Sequence, residues 1–293
     1  MTERLADISA HIHGIQQLGT VVNAMRGIAA ARAQQARGQL LAVDHYAATI
    51  AAAIGRALAL APPPRPDGAR KASRPAIVLF CAEQGFAGTF SERLLDDVAP
   101  DLAGAELFLV GTRGNTVARE RGVAARWTSP LPAHSLGIPK LADRILEALY
   151  TRIATGEIDQ LDVVFNQWQP GRGGKAERRR LFPFDLAAFA PSTESNAPLI
   201  NLPAETLLKD LVADDMHAQL CTAALHAFAA ENEARMEAMA AARAQIDRRL
   251  TDLRATQSRV RQEEITIEII ELAAGETASR PDPSRNEAAQ SLI

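Results

Sequence analysis

Residues 204–274 contain neither proline nor glycine, and this uninterrupted segment restricts the fold more than any other feature of the sequence. Apolar residues recur along it at helical spacing, and a helical pattern of this length without a breaker is typical of a coiled coil. At about 1.5 Å per residue, the helix would extend on the order of 100 Å. Its apolar residues include Leu207, Leu211, Leu220, Phe228, Met236, Met239, Ile246, Leu250, Leu253 and Val260.

The N-terminal segment, at about residues 3–58, predicts a second long helix, because its apolar residues follow one another at steps of three or four. Alanine, the best helix former, dominates beyond Ala29, and the prolines at 62–64 end the helix. An isolated helix of this length is not stable in water without a packing partner. We therefore expect the two long helices to pack antiparallel. The apolar stripe is Leu5, Ile8, Ile12, Ile15, Leu18, Val21, Met25 and Ile28.

The sequence between the two helices alternates between short apolar runs and helical patterns. Residues 76–81 are apolar throughout, as in a strand that is buried on both faces. The alternation predicts βαβ units and a parallel sheet, and residues 178–184 are a candidate edge strand. The predicted strands are 76–81, 106–111 and 161–165, and the predicted helices include 113–121, 140–153 and a stretch with Leu94, Leu95 and Val98.

The predicted fold class is therefore α/β plus a long antiparallel α-helical coiled coil, with a Rossmann-like parallel-sheet domain between the two shaft helices. A β-branched run at 265–270 opposes this prediction locally, because it alone would read as a strand. The predicted segments are an N-terminal coiled-coil helix (1–60), a proline-rich linker (61–74), the α/β domain (75–195), a C-terminal coiled-coil helix (203–275) and a disordered tail (276–293).

Several functional classes are disfavoured by the residues themselves. The net charge of −3 argues against nucleic acid as a partner. Cys81 and Cys221, the two cysteines, lie in apolar surroundings and are expected to be buried, reduced thiols. The sequence has no apolar run long enough to span a bilayer and no pattern of a signal peptide at its start.

Phosphate-binding and metal-binding motifs are also missing from the sequence. The glycines at 85–88 follow a strand but do not form G-x-G-x-x-G, and the run 171–175 lacks the Walker spacing. The histidines do not cluster with the cysteines at the spacing of metal ligands. The sequence therefore predicts no catalytic residue, no cofactor, no metal and no direct nucleotide binding.

Four short segments carry motifs that can be recognised: AMRGIAAAR at 24–32, QGFAG at 84–88, EARMEAM at 233–239 and RQEEITIE at 261–268. They resemble the AMKMVAAAK, RGLCGG, AARMxAM and RQxxITxE motifs of the γ subunits of F-type ATP synthases. The resemblance covers nearly the whole chain and is most specific in the last two motifs. Asn23 stands where that family commonly has lysine, and this departure suggests a divergent or alternate member.

The resemblance implies a central-stalk rotor that is not itself an enzyme. Its partners would be three α and three β subunits of the ATP synthase head, the ε subunit and the c-ring. It would couple ion transport, such as hydrogen ion transport, to ATP synthesis or hydrolysis as a peripheral membrane protein on the cytoplasmic face of a bacterial inner membrane. The residues expected to contact these partners are Met25, Arg26, Arg32, Arg249, Arg254, Arg261, Gln262 and Glu268.

Arg261 and Gln262 resemble a pair that hydrogen-bonds to a loop of one β subunit, and the planar guanidinium of arginine suits such a contact. From their residue types alone, a solvated surface near the end of a helix is the favoured interpretation. Two other functions also remain open from the residues: a coiled-coil adaptor with an α/β docking domain, and an enzyme that uses the α/β domain for nucleotide chemistry.

Overall fold

The computed structural model describes residues 2–60, 74–169, 173–185, 189 and 199–279. Two long helices, α1 (Thr2–Leu58) and α5 (Ala204–Ser279), begin and end the described chain, which confirms the prediction of two such helices. Between them lie the strands β1 (Pro75–Phe80), β2 (Glu106–Val110), β3 (Trp127–Ser129), β4 (Gln160–Gln169) and β5 (Gly173–Phe182), and the helices α2 (Phe90–Val98), α3 (Thr112–Glu120) and α4 (Ile138–Ala154).

Two of the predicted boundary segments fall largely outside the described residues. Of the linker predicted at 61–74, only Arg74 is described. The tail predicted to start at residue 276 is helical up to Ser279, because α5 continues past Gly275 without a break, and the remainder lies outside the described residues. The run 265–270 is helical as well, since the weak helix propensity of β-branched residues is easily overcome within a long cooperative helix.

The five strands form one mixed sheet in the order β3-β2-β1-β4-β5. The strands β1 to β4 are parallel, whereas β5 is antiparallel to β4. The prediction of a purely parallel sheet is therefore wrong. Only residues 170–172 separate β4 from β5, and a parallel neighbour requires a crossover of a dozen residues or more.

Helices cover both faces of the sheet. On one face, side chains such as Phe80 and Phe108 pack against α4 and against the segment of α5 around Leu220 and Phe228. On the other face, Leu79 and its neighbours pack against α2 and α3. The central strands are thus buried on both sides, which explains their continuous apolar sequence.

The chain divides into two compact units. One unit, called the terminal unit here, comprises residues 1–24 and 240–293, and the other comprises residues 25–239. In the terminal unit the two helices run antiparallel, because Gln257 Nε2 donates a hydrogen bond of 2.9 Å to Ser9 Oγ while Gly19 lies against Arg243 and Ile246.

Buried positions along both helices of the terminal unit follow one another at alternating steps of three and four residues. This is the spacing with which two helices keep one seam in contact. The positions with this spacing are Leu5, Ile8, Ile12, Ile15, Gly19 and Val22 on α1, and Arg243, Ile246, Leu250, Leu253, Gln257, Val260, Glu264 and Ile267 on α5. Ala242 and Thr256 of α5 are half-buried beside them.

The seam on α1 differs from the predicted apolar stripe beyond Ile15. Leu18, Val21 and Ile28 are 53%, 54% and 55% exposed, so their assignment to the buried stripe is wrong. Gly19 takes an inner position instead, where a Cβ atom would lie only 2.9 Å from Arg243 Nη1. Small residues at the seam let the helices approach closely, and the larger apolar side chains beside them are left at the surface.

Candidate functional site

The carboxyl ends of the parallel strands are where a doubly wound α/β fold binds ligands, and here the chain's own carboxylates occupy that edge. Glu83, which follows β1, accepts hydrogen bonds of 2.9 Å from the Thr112 amide and 2.8 Å from the Leu131 amide through Oε2. Its Oε1 accepts a further bond of 2.8 Å from Thr112 Oγ1. Because Thr112 is the first residue of α3, the carboxylate lies where a phosphate would meet the positive end of that helix.

A second internal carboxylate reaches the same edge from α5. Glu231 accepts hydrogen bonds from the amides of Glu83 at 3.0 Å and Gln84 at 3.1 Å. Arg235, one helical turn further along α5, pairs with Glu231 and donates to the carbonyl oxygens of Gln84 at 3.3 Å and Gly85 at 3.1 Å. Side chains of α5 therefore bind the Glu83 and Gln84 amides and the Gln84 and Gly85 carbonyl groups of the loop after β1.

This arrangement makes the edge unfavourable for an anionic ligand such as a phosphate. The backbone amides of Glu83, Gln84 and Thr112 already donate to the carboxylates of Glu231 and Glu83, and two carboxylates at the same edge would repel an anion. Among the described residues, no group of three or more His, Cys, Asp or Glu side chains is placed to hold a metal ion. Within the same residues, no helix combines the length and apolarity needed to cross a membrane.

Both cysteines are buried free thiols, as predicted from the sequence. Burial raises the pKa of Cys81 to about 12, and the same cause, reinforced by Asp143, raises the pKa of Cys221 to about 12. The thiolate is the reactive form, so neither residue is suited to nucleophilic catalysis.

We expect the native chain to react with Ellman's reagent at pH 8 at least about a thousandfold more slowly than free cysteine, because both buried thiols remain protonated. Stopped-flow absorbance measures this rate, and the same chain in guanidinium provides the control in which both thiols react. Rapid modification of one thiol per native chain would contradict the burial described here.

The residues predicted to contact partners lie at the surface of the two long helices, and the structure does not gather them into one pocket. Arg26, Arg249, Arg254, Arg261, Gln262 and Glu268 are exposed, whereas Met25 and Arg32 are half-buried. Within the part of the chain that the structure describes, no carboxylate pairs with any of these arginines, although Arg243 on the same helix pairs with Asp247.

The C-terminal part of α5 combines these polar residues with exposed apolar side chains. Arg261, Gln262, Ile265, Glu268, Ile269 and Leu272 are separated by helical steps that place them on one side of the helix, and we call this set the α5 outer face. Its apolar members are well exposed: Ile265 by 49%, Ile269 by 60% and Leu272 by 74%. Adjacent exposed apolar residues of this kind are typical of an interaction surface.

The sequence agrees with known proteins over almost its full length. A family model described as ATP synthase matches residues 4–278. The ATP synthase gamma chain of Chlorobium luteolum is 27% identical over 288 residues, covering 94% of this chain and 98% of the relative. That of Clavibacter michiganensis subsp. michiganensis is 26% identical over 295 residues, covering 95% and 98%. The chain belongs to the ATP synthase gamma chain family.

Solved structures agree with this membership at the level of the fold. A chain from the rotor of the Euglena gracilis mitochondrial ATP synthase superposes with a TM-score of 0.66 at 14% identity, covering 90% of this chain and all of that chain. The family model over residues 4–278 confirms the resemblance that the sequence motifs indicated. The polar contacts of Glu83, Glu231 and Arg235 were not predicted. The nearest signal is that Glu231 and Arg235 stand four residues apart, one helical turn, on α5.

Proposed function

We propose that this chain is the central-stalk rotor of an F-type ATP synthase, with α1 and α5 forming an antiparallel coiled coil as its shaft. The observation that carries the proposal is the α5 outer face, where exposed isoleucine and leucine side chains accompany Arg261, which has no carboxylate partner among the described residues. On a helix that stayed in water, these apolar side chains would remain exposed to solvent, which is unfavourable. A helix enclosed by a ring of partner subunits would bury them.

The partners would be three α and three β subunits around the shaft, with the ε subunit and the membrane c-ring bound to the α/β domain. The contact residues would be Arg249, Arg254, Arg261, Gln262 and Glu268 on α5, together with Met25, Arg26 and Arg32 on α1. The complex would lie on the cytoplasmic face of a bacterial inner membrane and would transport hydrogen or other ions.

The chain itself would not be catalytic, because its strand edge is filled by Glu83 and Glu231. Its role would be mechanical. Contacts that differ from one β subunit to the next would favour a different conformation in each, and rotation of the shaft would exchange those conformations. Ion flow through the membrane would drive this rotation in the direction of synthesis.

The proposal is tested by assembly. Co-expressed with the α and β subunits encoded in the same genome, the chain is expected to co-purify with them in a ratio of one to three to three, because the apolar residues of the α5 outer face gain a partner. Native mass spectrometry measures the stoichiometry. A matched variant with Ile265, Ile269 and Leu272 all replaced by serine should be recovered in complexes at a yield reduced by about tenfold or more.

A stable free monomer that ignores the α and β subunits would contradict the rotor function and would favour the adaptor with an α/β docking domain. Normal assembly of the triple-serine variant would instead show that the α5 outer face does not contact the α and β subunits.

A further inference from the structure

Glu231 and Arg235 of α5 make the hydrogen bonds to the loop after β1, and both side chains are almost completely buried. Glu231 is 2% exposed and Arg235 is 5% exposed. We propose that these two residues form a clamp that fixes the rotational position of α5 on the α/β domain, so that torque passes between the domain and the shaft. The inference rests on the proposed rotor function and assigns two positioning residues within it.

Elsewhere the contact between α5 and the domain is mainly apolar, with His217–Asp143 and Arg179–Gln219 as further polar contacts nearer the start of the helix. Small side chains such as Ala223, Ala224 and Ala227 lie in this contact beside the larger Leu220 and Phe228. Apolar contacts between small side chains are non-directional, so they oppose separation of the helix from the sheet more strongly than they oppose turning. Charge-assisted hydrogen bonds depend on direction and therefore resist rotation of the helix about its own axis.

The clamp contains both a hydrogen-bond acceptor and a hydrogen-bond donor, so its contacts fit only one orientation of α5 relative to the loop. The Glu231 carboxylate accepts from two successive loop amides, while the Arg235 guanidinium donates to two successive loop carbonyl groups. Arg235 is held in place by Asn232 Oδ1, which accepts a hydrogen bond of 3.2 Å from Nη1. Asn232 is itself oriented by a bond of 2.8 Å from its Nδ2 to the Phe228 carbonyl oxygen.

The loop that the clamp grips is anchored to the sheet on its other side. Glu83 belongs to this loop, and its carboxylate binds the backbone amides of Thr112 and Leu131, which follow β2 and β3. Force on α5 is therefore passed from Glu231 and Arg235 to the loop backbone and then to the ends of two further strands. The buried position of the pair also keeps it largely unscreened by salt.

The test uses the complete membrane complex reconstituted in vesicles, carrying the Glu231→Gln/Arg235→Met double variant of this chain. Removing both charges together avoids leaving one buried charge without its partner. The expected result is that ATP hydrolysis is retained while ions transported per ATP hydrolysed fall by about threefold, since the shaft can turn without the domain. In the same preparation, hydrogen exchange at the amides of Glu83 and Gln84 should accelerate by about tenfold.

Two further variants separate the clamp from general stability. Arg235→Lys keeps the positive charge beside Glu231 but loses the planar fork that reaches two carbonyl groups, so transport per ATP should lie between the wild-type and double-variant values. Arg152→Met removes an ion pair with Glu106 that lies within the α/β domain and does not involve α5. This control should leave both the transport ratio and the loop amides unchanged.

The clamp is overturned if the double variant exchanges its loop amides faster but transports as many ions per ATP as the wild type. It is equally overturned if the loop amides exchange at the wild-type rate. A wild-type complex that hydrolyses ATP without moving ions would contradict the rotor function itself, and the clamp with it.

Discussion

Replacing Gly114 by alanine is expected to destabilise the α/β domain by about 3 kcal/mol, which lowers its folding constant by more than about a hundredfold. Gly114 lies in the first turn of α3 and is buried against the residue that follows β1. A Cβ atom at this position would lie 2.0 Å from Cys81 Cβ and 3.0 Å from its Sγ. Cys81 continues a central strand with sheet neighbours on both sides, so it cannot move away cheaply.

Urea unfolding measures this loss, with the fluorescence of the two tryptophans as a probe, because both belong to the α/β domain by sequence. The matched control is Gly14→Ala, where a Cβ atom would meet nothing within 4 Å on the surface of α1. Alanine there should be neutral or stabilising by about 0.5–1 kcal/mol, because glycine is a poor residue in a helix interior. Equal unfolding midpoints for the two variants would contradict the close approach of α3 to β1.

The two long helices and the start of α5 could be predicted because the signals for them are strong and redundant, whereas Gly275 did not end α5 as expected. Proline and glycine are absent from 204–274, and α5 duly begins directly after Pro203. The prolines at 62–64 likewise follow the end of α1 at Leu58. Signals of this kind act on the backbone itself and do not depend on what the helix packs against.

The buried face of α1 could not be predicted as well, since apolar periodicity gives weight to large side chains. The seam of the terminal unit uses the buried Gly19. In the unit of residues 25–239, the buried positions of α1 include Ala29, Ala33 and Ala36. A pattern of large residues instead picks out Leu18 and its neighbours, which are left exposed. Which positions of α1 are buried depends on how closely the partner helix approaches. That distance is set by tertiary packing and cannot be derived from the periodicity of one helix.

The strand β3 was missed for a different reason. It contains only Trp127, Thr128 and Ser129, which is too short for an alternating pattern to be recognised. Its pairing with β2 becomes evident only from the sheet, where Phe108 lies opposite Trp127. The antiparallel direction of β5, in contrast, could have been derived from the short connection after β4.

The polar groups at the strand edge show where sequence motifs and physical contacts diverge. The Gly85–Gly88 loop resembled a phosphate-binding turn that lacked its motif, and in the structure the nearby amides of Gln84 and Thr112 are bound by the carboxylates of Glu231 and Glu83. A carboxylate that binds an amide many residues away leaves no periodic trace in the sequence. The contacts of Glu83 and Glu231 could therefore be found only from the three-dimensional structure.

Arg261→Ala is expected to lower the ATPase turnover of the assembled complex by about tenfold. Arg261 is exposed on α5, and none of the described residues provides it with a carboxylate partner. If it binds a loop of a β subunit, the contact is a charge-assisted hydrogen bond worth about 1.5–3 kcal/mol. A loss of about 1.4 kcal/mol in the transition state corresponds to a tenfold change in rate.

Steady-state ATPase of the purified assembly measures the effect, and circular dichroism checks that α5 remains helical, as it should because alanine is an excellent helix former. Lysine at this position should restore only part of the turnover, since it keeps the charge but not the planar fork. The matched control is Arg259→Ala, an exposed arginine two residues earlier that points to the opposite side of the same helix. Its loss should change turnover by less than about twofold, as for most exposed charges.

The comparison of the two alanine variants decides whether position or charge matters. A tenfold loss confined to Arg261→Ala means that one face of α5 binds a particular loop of the ring. Equal losses at Arg261 and Arg259 would mean that the shaft acts through its total positive charge, and raising the salt concentration should then weaken the wild type in the same way. Wild-type turnover in a fully assembled Arg261→Ala complex would show that this arginine is solvated surface and that the motif at 261–268 does not carry its contact.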